Sequence, residues 1–226
     1  MKAMILAAGK GERMRPLTDH IPKPLLEVAG KPLIIWHLEK LAKANFEDVI
    51  INHAHLGEMI EACIGDGSRW NLKITYSREG SPLETAGGIK KALPLIGDQP
   101  FLVVNADIYT NFNYATIKNR NLNGCKGHLI MVKNPKQHPE GDFVLKDNQI
   151  ELEGKERLTF SGIAIYQPEI FEGNSIEPVA KLAPILKKLI DSKYISGEAY
   201  QGLWFDIGTP ERLNEINLLL KEKFKS

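Results

Sequence analysis

A three-layer α/β fold, with a mostly parallel central sheet and a small antiparallel extension, is predicted by three observations. Short apolar runs at residues 3–8, 49–52 and 101–105 alternate with segments whose apolar residues recur at helical spacing. Such β-α-β alternation puts parallel strands in the middle and helices on both faces. The second half changes to shorter strand-like segments with turns between them, which reads as an antiparallel excursion. No repeat, low-complexity tract or linker breaks the 226 residues, so a single domain over residues 1–226 is expected.

Taken in order, residues 3–8 form a buried strand, and Leu33, Ile34, Leu38 and Leu41 give one apolar face to a helix over 33–44. A strand over 49–52 leads to a short helix over 57–64. Residues 73–77 alternate in strand fashion, 85–93 return to helix, and 101–105 make a third apolar strand. Strands over 128–132, 142–145, 149–152 and 160–166 follow, then a helix over 182–190, a strand over 204–207 and a closing helix over 210–223. Pro210 suits a first helical turn, with Thr209 as its cap.

The strongest local signal is the turn after the first strand, Leu6-Ala7-Ala8-Gly9-Lys10-Gly11-Glu12-Arg13-Met14-Arg15-Pro16, with Pro22-Lys23-Pro24 a little further on. Glycines let a backbone approach phosphate closely, while free N–H groups and fixed cations supply positive charge there. Flanking prolines limit where the Lys23 ammonium can be presented. Met14 stands where a dinucleotide fingerprint needs its third glycine, and Gly9-Lys10 lacks the following Ser or Thr of the other common phosphate loop. A plain strand–turn with surface charges is the blander alternative; Arg13, Arg15, Thr18 and the Pro-Lys-Pro segment weigh against it.

Composition narrows the function classes. A formal net charge of +1 argues against a dominant nucleic-acid or acidic-membrane role, so the cations around the glycine turn mark a site. Two cysteines, Cys63 and Cys125, are too few for a disulfide framework or thiolate metal site. No apolar run approaches the roughly 20 residues that span a bilayer, and no secretory signal is legible. A cytoplasmic location with reduced thiols is expected. The six histidines form no metal-ligand pattern and read as core or surface residues.

Two carboxylates stand just beyond apolar strands, Asp107 after Phe101–Asn105 and Asp206 after Leu203-Trp204-Phe205. Strand ends face the crevice where α/β sheets bind ligands, although a lone aspartate there is often only a turn or helix cap. Two brought together would suit Mg²⁺, which takes a few carboxylates plus substrate phosphate oxygens. Leu83-Glu84-Thr85-Ala86-Gly87-Gly88 follows a strand and opens a helix, where free N–H groups can meet a base or ribose edge. A simply capped helix start is the alternative.

These residues resemble the sugar-nucleotide pyrophosphorylases, which join a sugar 1-phosphate to a nucleoside triphosphate and release pyrophosphate. The resemblance rests on the stretch from Leu6 to Thr18, on Pro22-Lys23-Pro24, and on Asn52-His53-Ala54-His55-Leu56-Gly57, Gly65-Asp66-Gly67-Ser68-Arg69, Leu83–Gly88 and Trp204-Phe205-Asp206-Ile207-Gly208-Thr209. It implies a Rossmann-like nucleotidyltransferase domain whose antiparallel extension covers the sugar, with catalytic Arg13, Lys23 and Asp107 and a Mg²⁺ cofactor on Asp107 and Asp206. Nucleotide contacts would come from Ala8, Gly9, Gly11, Glu12, Arg13, Lys23, Glu84, Thr85, Gly87, Gly88 and Asn105. Gly141, Asp142, Glu153, Lys155, Gly162 and Lys181 would face the sugar; a solvated loop lysine is the alternative reading of Lys155.

Within the family the chain is most similar to the uridylyltransferase branch that serves bacterial cell-wall recycling. That implies UTP and N-acetylmuramate 1-phosphate as partners, with Lys181 or Arg157 pairing the lactyl carboxylate. Other hexose-1-phosphate guanylyl-, thymidylyl- or uridylyltransferases are same-class alternatives, and a catalytically silent sugar-nucleotide-binding subunit is the alternative of another class. A monomer or weak dimer is expected, with no nucleic-acid or membrane partner. Asn105-Ala106-Asp107 departs from the pattern, because relatives often carry glycine in the middle.

Overall fold

The computed structural model describes residues 1–173 and 176–223. The first half runs β1 (Ala3–Leu6), β2 (Glu27–Val28), β3 (Lys31–Pro32), α1 (Leu33–Lys43), β4 (Asp48–His53), α2 (Gly57–Ile64), β5 (Lys73–Arg78), α3 (Glu84–Ile96), β6 (Phe101–Asn105) and β7 (Ile108–Thr110). The second runs β8 (Gly127–Val132), β9 (Phe143–Lys146), β10 (Gln149–Glu151), β11 (Arg157–Tyr166), α4 (Leu182–Asp191), β12 (Ile195–Tyr200), β13 (Trp204–Asp206) and α5 (Pro210–Lys223).

Nine strands make one sheet in the order β5-β4-β1-β6-β11-β8-β12-β10-β9. Strands β5, β4, β1 and β6 are mutually parallel, so their C-terminal ends share one edge. Side-chain alternation builds the layers. Ala3, Ile5, Val49, Ile51, Leu102 and Val104 face α1 and α2, whereas Met4, Ile50, Phe101 and Val103 face α3 and α4. The sheet therefore has helices on both sides, and the three-layer expectation holds. A third apolar cluster joins Met14, Leu26, Val28, Leu33 and Tyr109 to Ile207, Ile216 and Leu220 of the C-terminal segment.

The second half departs from expectation in its placement. Strands β11 and β8 continue the main sheet next to β6, and only β10 and β9 form its far edge. Strand β12 lies inside that sheet, parallel to β8, yet its Ser196, Gly197 and Glu198 give no apolar run to read. Such a strand is held by its neighbours: Gly197 lies against Ile150, and Ile195 is fully buried. Helix α3 runs three residues past its expected end, to Ile96, and carries Pro94 in its last turn at the loss of one i→i−4 bond. Ala106 is buried, and its N–H reaches the Leu6 carbonyl at 3.0 Å, so the turn tolerates a Cβ.

One buried polar pair ties α1 to the strand end. His37 Nε2 lies 2.8 Å from the Ile108 carbonyl, which can only accept, so Nε2 carries the proton. Nδ1 then accepts from the Tyr114 hydroxyl, also at 2.8 Å. Burial, reinforced by the Lys40 charge, pushes the His37 imidazole down to about 3. Burial and the Arg120 charge push His128 down to about 4.

A pH dependence of stability follows. Both folded values lie below the unfolded value of about 6.5, so the unfolded state binds more protons in between. The contribution is complete above about pH 6.5 and is lost as pH falls toward about 4 and then about 3. Unfolding free energy measured in denaturant should drop by on the order of a few kcal/mol between pH 7 and pH 4. His37→Gln should be less stable at pH 7 and show a shallower decline; an unchanged slope would exonerate His37.

Candidate active site

Parallel strand ends and the loops after them enclose a cleft of about 820 Å³. Its walls are the loop after β1, the segment around Lys23, the loop between β5 and α3, and the turn after β6, with Gly208 at one margin. This is where an open α/β sheet binds ligands.

Ala8, Gly9, Gly11, Glu12 and Arg13 all line the cleft. Met14 anchors the loop by full burial and by its N–H bond to the Gly11 carbonyl, 2.8 Å. The same carbonyl accepts the Thr18 hydroxyl at 2.8 Å. Among the described residues, the N–H groups of residues 9–13 meet no protein acceptor, and nothing stands within 4 Å of where a Gly9 Cβ would project. A loop with unused donors and room for close approach is built for an anion. Arg13 is exposed, and no ion-pair partner of it occurs among the described residues.

Asp107 and Asp206 are brought together by a small antiparallel ladder. Strand β13 pairs with β7, setting Asp206 opposite Ile108, and the Ile207 N–H reaches the Asp107 carbonyl at 2.9 Å. Each carboxylate is held by a cation through Oδ2, Asp107 by Lys23 at 2.6 Å and Asp206 by Arg212 at 2.5 Å. Both Oδ1 atoms lack a protein partner among the described residues. Arg212 is delivered by the first turn of α5, where Thr209 Oγ1 accepts its N–H at 3.4 Å, as a cap should. Sequence reasoning passes over Arg212 because an arginine in a helix turn carries no signal of its own.

In the base-side loop, Glu84 and Thr85 line the cleft, and Glu84 holds a left-handed φ of 59° at the helix start. Gly87 and Gly88 do not belong to the lining. The Ala86 and Gly87 N–H groups are both taken by the Ala180 carbonyl, at 2.9 and 3.1 Å, so they are not free donors. Gly88 packs on Glu79 and Asn52, two polar cleft residues to which sequence reading gives no role at the site. Their signal was faint: a polar residue ending the apolar strand Val49-Ile50-Ile51, and an acid just after β5.

The sugar-side residues lie outside this cleft. Asn105, expected at the nucleotide, does line it, and Gly162 packs on Asn105: φ at Gly162 is +78°, and a Cβ would stand 2.6 Å from Asn105 Nδ2. Only glycine suits that β11 bulge. Asp142 accepts the Phe160 N–H at 2.8 Å and lies 3.1 Å from His138, and Gly141 abuts Asn134. These residues shape the loop between β8 and β9 and fasten it to β11. Arg157 donates to the carbonyls of Asp142 and Leu152, at 3.3 and 2.5 Å, and so is not the unengaged cation expected for a lactyl carboxylate. Glu153 and Lys155 are exposed in the loop before β11. Lys181 is exposed beside Ala180, close to the start of α3.

Comparison with known proteins agrees with this geometry. The nucleotidyl transferase family model matches residues 2–223. N-acetylmuramate alpha-1-phosphate uridylyltransferase of Neisseria meningitidis serogroup B is 51% identical over 97% of this chain and 98% of its own length. A mannose-1-phosphate guanylyltransferase catalytic subunit beta of Danio rerio is 31% identical, and the chain spans 62% of that protein. Among solved structures, a Bacillus anthracis protein described as a candidate glucose-1-phosphate thymidylyltransferase superposes with a TM-score of 0.83 at 21% identity, over 97% of this chain and 94% of that one. HddC from Yersinia pseudotuberculosis, solved with GMP-PN, gives 0.76 at 22% identity, over 97% of this chain and 99% of that one. Both structures share the fold. With its phosphate loop, strand-end carboxylates and near-complete match, the chain belongs to the nucleotidyl transferase family.

Proposed function

We propose that the protein transfers uridylyl from UTP to N-acetylmuramate 1-phosphate, releasing pyrophosphate, in the cytoplasmic recycling of cell-wall sugar. The observation that carries the reaction class is the cleft itself, where a loop of unused N–H donors faces Lys23 and Asp107, with Asp206 just outside the lining and each carboxylate keeping one open oxygen. The choice of substrates is supported by the similarity to the Neisseria uridylyltransferase over nearly the whole of both chains. A silent binding subunit would have no use for Arg13, Lys23, Asp107 and Asp206 together.

The donor set suits magnesium. Among the described residues no cluster of three or more His, Cys, Asp or Glu side chains converges, so an ion here would draw most of its ligands from phosphate and water, as Mg²⁺ does. Asp107 and Asp206 would hold it, and it would neutralise phosphate charge during displacement at the α-phosphorus. The chain supplies the rest by positioning and electrostatics. The loop N–H groups and the Arg13 fork receive the terminal phosphates. Lys23, poised on Asp107, can turn to the α-phosphate as its charge grows. The sugar phosphate is already a nucleophile, so no side-chain base is needed. Lys181 is the cation left to meet the lactyl carboxylate.

A pyrophosphate-release panel crossing four nucleoside triphosphates with several sugar 1-phosphates tests the assignment. N-acetylmuramate 1-phosphate should exceed N-acetylglucosamine 1-phosphate in kcat/KM by at least about tenfold, because a site built to pair a charged group rejects analogues lacking it. Lys181→Ala should narrow that ratio. Equal or reversed preference would refute the muramyl substrate while leaving uridylyl transfer intact.

Asp107→Asn and Asp206→Asn should each lower turnover by roughly two orders of magnitude or more with the fold preserved. EDTA should abolish activity and Mg²⁺ restore it. Lys23→Ala should act mainly on kcat, since its charge matters most in the transition state. An Asp206→Asn enzyme of native activity would sink the two-carboxylate site.

A further inference from the structure

Along the cleft wall runs a chain of three hydrogen bonds that links its two ligand loops. The Ala7 N–H, where the phosphate loop begins, donates to Asn52 Oδ1 at 2.9 Å. Asn52 Nδ2 donates to Glu79 Oε1 at 2.6 Å. The Leu83 N–H, just before the base-side helix start, donates to Glu79 Oε2 at 3.0 Å. Asn52 and Glu79 are both buried. Gly88 closes the chain from behind, since a Cβ there would stand 2.5 Å from Glu79 Oε1 and 2.8 Å from Asn52 Nδ2.

The polarity of this chain is determined by its ends. Two main-chain donors point inward, so the side chains between them must present an acceptor at each end and one donor in the middle. An amide followed by a carboxylate meets all three requirements. Buried bonds of this kind are stiff, because breaking one strands a polar group away from water.

We infer that Asn52 and Glu79 are positioning residues, a strut that sets the separation between the phosphate loop and the base loop so that nucleotide binding engages both at once. The inference rests on the nucleotidyl-transfer reading above. Neither side chain is assigned a bond to the substrate; both act through Ala7 and Leu83.

A polarity swap provides the test. Glu79→Gln alone turns an amide donor toward Asn52 Nδ2 or the Leu83 N–H, and Asn52→Asp alone sets a second carboxylate against Glu79. Combined, the two substitutions restore all three bonds with the middle one reversed and the native charge retained. Equilibrium binding of UTP is compared with that of tripolyphosphate, which reaches only one loop. Each single variant should weaken UTP by at least about tenfold while leaving tripolyphosphate within about twofold, and the double variant should return UTP to within about threefold of native. Should Asn52→Asp fail to fold, Glu79→Gln and the double variant carry the comparison. Native UTP affinity in the single variants, equal losses for both ligands, or no recovery in the double variant would overturn the strut. If the unmutated protein binds no nucleoside triphosphate, the reading beneath it fails instead.

Discussion

The site depends on the short ladder between β7 and β13. Three residue pairs, Trp204 with Thr110, Phe205 with Tyr109 and Asp206 with Ile108, bring the chain's last strand against the segment that leaves its central strand. Without that ladder, Asp206 would have no reason to stand beside Asp107. The Trp204 indole N–H, bonded to the Ser161 carbonyl at 2.9 Å, fastens it to the β11 bulge. Below it lies the third apolar cluster, which contains Met14 from the phosphate loop, Leu26 and Val28 from the segment after Lys23, and Ile216 and Leu220 from α5. Burying such side chains is worth about 1.5–3 kcal/mol each. The phosphate loop, Lys23, both carboxylates and the Arg212 helix thus rest on one shared patch of core.

Electrostatics explains why the two carboxylates can be neighbours at all. Two neighbouring anions repel, and partly removing them from water adds cost. Lys23 and Arg212 offset both effects, each with its side chain mostly shielded, 11% and 13% exposed. The four groups carry no formal net charge, so a bare divalent ion finds little attraction beyond the two open Oδ1 atoms. An ion arriving with a triphosphate brings its own anionic ligands and leaves the loop donors to take the remaining phosphate charge. On the proposed reading, such an arrangement would favour the metal–nucleotide pair over either component alone.

Much of this was legible in the sequence, and the parts that were not share a cause. The parallel strands announced themselves because burial on both faces demands continuous apolar runs, as in Val49-Ile50-Ile51 and Phe101–Asn105. The glycine turn and Lys23 were legible because phosphate imposes its needs on neighbouring residues in sequence. Strand β12 was hidden because its place is set by β8 and β10, and Gly197 serves Ile150 and not any local propensity. Arg212, Asn52 and Glu79 were hidden for a similar reason. Each is ordinary in sequence, and each acquires meaning only from a partner brought near by folding. Gly87 and Gly88 were recognised as special, but as donors to a ligand; their value lies in close packing against Ala180 and Glu79.

That packing also bears on how the two halves of the reaction meet. The Ala180 N–H bonds the Leu83 carbonyl at 3.0 Å, while the Ala180 carbonyl accepts from Ala86 and Gly87. The segment that leads into α4, with Lys181 as its first flank, is therefore clamped to the loop on which the base would rest. Leu83 is held from its other side by Glu79. A displacement of the base-side loop must then be felt at Lys181 on one side and, through Asn52, at the phosphate loop on the other. Packed, hydrogen-bonded segments of this kind move together or not at all. On the proposed reading, the loop that receives the nucleotide and the lysine offered to the sugar are joined through Ala180, so the position of Lys181 is set by the base-side loop.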